Sequence, residues 1–116
     1  MNVAFDGMEN LVVTFQAETV TAGKFAAMHS NRTVQDAADG TAPVGLTLHR
    51  RGSHAAVQTR GYVQCSYSGG TAPELGWNQL VTDGTGGLRP AAESETGRAC
   101  LVVQVDSESK RMGLFL

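Results

Sequence analysis

Apolar residues in this chain recur every second position in short runs, and the runs are separated by glycine-rich turns. No window of a dozen residues keeps a stripe at every third or fourth position, so the chain has no amphipathic helix to build on. This pattern predicts an all-β fold, a small β-barrel or β-sandwich. At 116 residues the chain has room for one domain with a modest core.

The runs can be placed along the chain. Leu11–Phe15 and Thr19–Val20 are rich in β-branched residues, whereas Met1 to Gly7 offers little to bury. The expected organisation is an extended N-terminal arm over residues 1–15, with an ordered body beginning near Leu11, and a single β domain over 16–116. Lys24 to His29 reads as a strand with Phe25 and Ala27 on one face and Ala26 and Met28 on the other. Asn31-Arg32 turns, and Asp39-Gly40 is a dipeptide that tolerates positive φ and predicts a hairpin. Val44, Leu46 and Leu48 share a face, with Gly45 leaving room for a bulge or a close backbone neighbour.

Arg50-Arg51-Gly52 makes the next turn. The alternation from Ala55 to Tyr67 then changes phase at Gly61, as in a strand kinked at a barrel corner. Asp83-Gly84-Thr85-Gly86-Gly87 is the strongest hairpin signal. In Ala99 to Asp106, the residues Leu101, Val103 and Val105 face one way and Cys100, Val102 and Gln104 the other. Both faces are apolar, which predicts a central strand. The run Met112 to Leu116 is expected to be pinned in a sheet or an interface.

Charge and cysteine usage narrow the function. Charged residues make up 17% of the chain against 41% hydrophobic, a surface poor enough in charge to suggest that a partner covers part of it. The net charge is -2 and the nine Lys and Arg are scattered apart from Arg50-Arg51 and Lys110-Arg111, so no nucleic-acid partner is expected. No apolar run approaches the roughly 20 residues that cross a bilayer, and the first twenty residues lack a basic start and an apolar core. A soluble protein without a secretory signal or membrane partner is expected. Cys65 and Cys100 lie in alternating apolar runs and read as reduced, packed residues, or as a disulfide if their strands are neighbours.

No residue set carries an obvious chemistry. His29, His49 and His54 sit at strand ends or turns without a ligand spacing, so no metal or other cofactor is expected. Glu93 and Glu95 flank Ser94 in an acidic turn, and Gly84-Thr85-Gly86-Gly87 lacks the Lys and the helix of a phosphate loop. Arg50 and Arg51 read either as a solvated turn or as a contact for an acidic surface. Trp77, the sole tryptophan, reads as a core anchor or a subunit contact, and Leu114 and Phe115 are candidate subunit contacts beside it.

The order of motifs resembles that of the capsid-decorating, head-stabilising cement proteins of tailed bacteriophages. The resemblance is carried by Ala22-Gly23-Lys24-Phe25-Ala26-Ala27-Met28, Asp39-Gly40 with Pro43-Val44-Gly45-Leu46, and Gly61-Tyr62-Val63. It continues through Leu75-Gly76-Trp77 to Asp83-Gly84, Gly86-Gly87-Leu88, and Gly97-Arg98-Ala99 to Val105. It implies a non-enzymatic virion protein, made in the host bacterial cytoplasm. Such a protein binds the exterior of the major capsid protein lattice as a homotrimer and stabilises the head. It also implies a capsid-binding arm, which by position includes Val3, Phe5, Leu11, Val13 and Phe15. Two other readings stand beside it: a small carbohydrate- or peptide-binding barrel with a site around Tyr67 and Trp77, and a ring-forming head-tail or tail component.

Overall fold

The computed structural model describes residues 10–69 and 71–116, which form strands and turns without a helix. The first five strands are β1 (Leu11–Ala17), β2 (Phe25–Ser30), β3 (Thr33–Asp36), β4 (Gly45–Arg51) and β5 (His54–Arg60). They close a barrel in the order β1-β3-β2-β4-β5. Closure comes from β1 running antiparallel to β5, from Leu11 opposite Arg60 to Gln16 opposite His54. The other five are β6 (Tyr62–Ser66), β7 (Gly76–Thr82), β8 (Leu88–Pro90), β9 (Arg98–Asp106) and β10 (Arg111–Phe115), ordered β6-β10-β9-β7-β8.

A five-stranded barrel has a narrow interior, and the sequence fills it with small side chains. Val20, Ala26, Val34, Ala55 and Val57 are buried there, with Phe15 and Ala17 packed against them. The larger core lies under the second sheet, where Val63, Cys65, Tyr67, Leu80, Leu88, Cys100, Val102, Met112 and Leu114 cluster with Phe25. Strand β2 explains its own weak face preference. Phe25 points into the sheet core and Ala26 into the barrel core, so both faces of the first half of β2 are buried.

The chain passes from one sheet to the other at Gly61, whose φ of 111° admits the corner and where a side chain would collide with Asn10. The phase break expected there is this crossing. Gly45 meets the other anticipated need, since a Cβ on it would lie 2.8 Å from Val57 Cγ1 and against the Gln58 carbonyl. Gly52-Ser53 joins β4 to β5, with Arg50 and Arg51 paired as the last residues of β4 rather than turning, and Asp83 to Gly87 joins β7 to β8. In that second turn the Asp83 carboxylate accepts from the Thr85 and Gly87 N–H groups at 2.8 and 3.1 Å.

Three expectations need correction. Asp39-Gly40 does not close a hairpin: β3 pairs with β2 and β1, and the loop crosses to the second sheet, where Gly40 N–H donates to the Thr82 carbonyl at 2.8 Å. Val105 does not share a face with Leu101. The β9–β10 register jumps between Gly113 and Leu114, leaving Val103 as an extra residue, so Val105 packs on the same core as Cys100 and Val102. Residues 11–15 of the expected arm are the first part of barrel strand β1, held by β5 because their alternation matches its inward face. Strand β9 is central, between β10 and β7.

Candidate interaction surface

The outer face of the second sheet carries one continuous row of large side chains. Trp77 on β7 stands opposite Leu101 on β9, Leu101 opposite Phe115 on β10, and Phe115 opposite Tyr62 on β6. Residues directly opposite in an antiparallel ladder point the same way, so four strands present one apolar stripe about 14 Å long. Trp77 is 74% exposed and Leu75, just before β7, is 69% exposed. Leu101, Phe115 and Tyr62 are half-buried.

Local packing fixes the far end of the stripe. The Tyr62 and Phe115 rings are 5.5 Å apart between centroids and tilted by 59°, in the range favoured by aromatic pairs. Tyr62 lies over Gly113, where any side chain would collide with its hydroxyl, and Gln64 Nε2 donates to that hydroxyl at 3.1 Å. Beyond it, Gln64, Gln104, Asp106, Ser109 and Arg111 line a polar depression of about 180 Å³. The Asp106 carboxyl is held below its ordinary range by hydrogen bonds from Ser109 and the Glu108 N–H. An apolar aromatic centre with a polar margin is the composition of a protein contact, and the depression is smaller than a ligand pocket of ordinary size.

The structure distributes the sequence candidates unevenly. Trp77 and Phe115 come together on this face, whereas Leu114 points the opposite way and is fully buried in the sheet core, which removes it as a subunit contact. Adjacent residues of a strand face opposite sides, so Leu114 and Phe115 cannot serve one surface. Val13 and Phe15 are half-buried on β1, Phe15 against the barrel core, while Leu11 is 50% exposed at the strand start. Val3 and Phe5 lie outside the described residues. Tyr67 is buried in the sheet core and Trp77 is on the outer face, so the two do not converge on a cleft. Leu101 and Tyr62 were missed. Tyr62 follows Gly61 and Leu101 alternates with Cys100, yet only the cross-strand register makes them neighbours of Trp77.

The other chemical candidates are also placed. Cys65 and Cys100 are free and buried on β6 and β9, with β10 between their strands. Burial pushes the Cys65 thiol up to about 12, with Arg111 opposing, so the thiolate nucleophile is suppressed. Glu95 is a structural partner: it takes both Arg89 Nη1 and Nη2, at 2.8 and 2.7 Å, while Arg89 Nε reaches Asp39 at 3.1 Å. Among the described residues no group of His, Cys, Asp and Glu is arranged to hold a metal ion.

No family model and no curated protein matches the chain. Among solved structures, it is similar to the N base of the head fiber gp8.5 in bacteriophage phi29. The two share 18% sequence identity with a TM-score of 0.58, over 93% of this chain and 94% of that one. The likeness is one of fold.

Proposed function

We propose that this chain is a structural, non-enzymatic component of a tailed-phage head, a decoration protein bound to the outside of the capsid through the major capsid protein. The observation that carries this reading is the end-to-end fold likeness to a head-fiber base, which spans nearly all of both chains. The motif order of the sequence points to the same class independently. On this reading the chain is made in the bacterial cytoplasm and acts in the virion without a cofactor.

The outer row of Trp77, Leu101, Phe115 and Tyr62 is then the self-contact of a homotrimer. Aromatic anchors with Gln64 and Gln104 at one margin supply an apolar centre and a wet edge, the arrangement in which a few residues carry most of the association energy. A trimer with several weak capsid contacts gains by effective concentration what a single small domain cannot.

Co-sedimentation of the purified chain with expanded capsids that lack it tests the reading, together with sedimentation velocity of the free chain. Saturable binding supports a head protein; its absence at micromolar concentration overturns it. A variant lacking Asn2 to Glu9 separates an arm contact, lost on truncation, from a contact made by the barrel. A chain that stays monomeric both free and on capsids would remove the trimer.

A further inference from the structure

The barrel carries a second surface, of different chemistry. Arg51 on β4 stands opposite His54 on β5, His54 opposite Gln16 on β1, and Gln16 opposite Thr33 on β3, beside the β2–β3 turn that holds Arg32. With strands about 4.8 Å apart, the four positions span about 14 Å. His49 lies two residues before Arg51 and on the same side of β4, Arg50 is at the hairpin rim, and His29 is the last residue but one of β2. All three histidines and three of the nine Lys and Arg of a chain with net charge -2 thus lie on the β2–β3 and β4–β5 hairpins, whose tips flank the end of β1.

These groups are uncommitted. The ion pairs among the described residues both belong to Arg89; at the tips Arg50 Nε donates to the Gly52 carbonyl at 3.0 Å, Ser53 and His54 lie 3.3 Å apart, and the Thr33 hydroxyl reaches Gln16 Oε1 at 3.3 Å, none of them engaging a carboxylate. The first carboxylate in the chain after β1 is Glu18, which is exposed. Arg32 holds a φ of 60°, and the turn around it lines an open concavity of about 710 Å³ with Met28, His29, Ser30 and Asn31.

We infer that this face docks on a carboxylate-rich protein surface and, resting on the head-protein reading, is the side of the barrel that meets the capsid. Unpaired guanidinium groups present forked donors that match carboxylates two bonds at a time. The exposed Met28, which lines the concavity with Arg32, and Leu48, beside His49 on β4, at 46% and 41%, favour a protein surface over nucleic acid, which has no use for them. A net negative chain is also repelled by a phosphate backbone. The aromatic row and the basic face then divide the work, one for the second copy and one for the partner.

The test compares the native chain with Arg32→Glu/Arg51→Glu, and with Lys110→Glu in the turn of the other sheet as control, after thermal melts establish that all three are folded. Binding to expanded capsids is measured by co-sedimentation at low and high salt, and binding to a labelled poly-glutamate peptide and to duplex DNA by anisotropy. The expected result is capsid and peptide binding that weakens with salt, falls at least tenfold in the double variant and is unchanged in the control. Capsid binding equal in native chain and double variant overturns the inference and leaves the head-protein reading standing. If the native chain does not bind capsids, that reading fails, and the peptide decides: charge-dependent binding lost in the double variant upholds an acidic partner, and no binding overturns it. Tighter binding to DNA than to peptide overturns it as well.

Discussion

Arg98 on β9 donates from Nη2 to the carbonyl oxygen of Thr59 on β5 at 2.7 Å, across the boundary between sheet and barrel. Its Nη1 donates to the carbonyls of Val44 and Pro43 at 2.5 and 3.3 Å, so one guanidinium satisfies three barrel carbonyls. Replacing it with Met keeps the stem and strands those acceptors. Bonds from a charged donor are worth about 1.5–3 kcal/mol each and are not additive, so Arg98→Met should cost about 2–4 kcal/mol in urea unfolding. Arg98→Lys, which keeps the charge and loses the fork, should fall between.

Acid should loosen the Arg89–Glu95 clamp. Hydrogen bonds from Arg89, and then from the Ala92 N–H, hold the Glu95 carboxyl at about 2, below its ordinary 4.5. A carboxyl depressed in the folded state stabilises fully above its unfolded value and ceases to do so as pH falls through the folded one. Stability from this group should therefore persist to about pH 4.5 and disappear between there and about pH 2. Urea midpoints across that window should fall less steeply for Glu95→Gln than for the native chain.

Leu114 and Trp77 should separate folding from association. Leu114 is fully buried, so Leu114→Ala leaves a cavity and should cost about 2–5 kcal/mol in urea unfolding. Trp77 is 74% exposed, and Trp77→Ala should change stability by no more than about 0.5 kcal/mol while weakening self-association in sedimentation velocity.

Thr47 offers a stabilising change. It is fully buried on β4 and its hydroxyl has no hydrogen-bond partner among the described residues. Valine has nearly the same shape without the polar atom, so Thr47→Val should raise stability by about 1 kcal/mol, read as a higher urea midpoint at unchanged slope.

What the sequence determined by itself was local. Period-two alternation fixed strands over helices, the turn signals at Gly52 and at Asp83 to Gly87 fixed two hairpins, and an apolar run on both faces marked β9 as central. These follow from backbone geometry and turn chemistry, which neighbouring residues carry among themselves. Alternation says that a strand has two faces, not which one is inside, and that choice belongs to the partner strands. Only the tertiary structure could send Phe25 to one core and Ala26 to another, shift Val105 across the β9 bulge, or carry Asp39-Gly40 to Thr82. The same holds for both surfaces. Trp77, Leu101, Phe115 and Tyr62, like Arg51, His54 and Arg32, are far apart along the chain and become neighbours through register, which is set by long-range pairing.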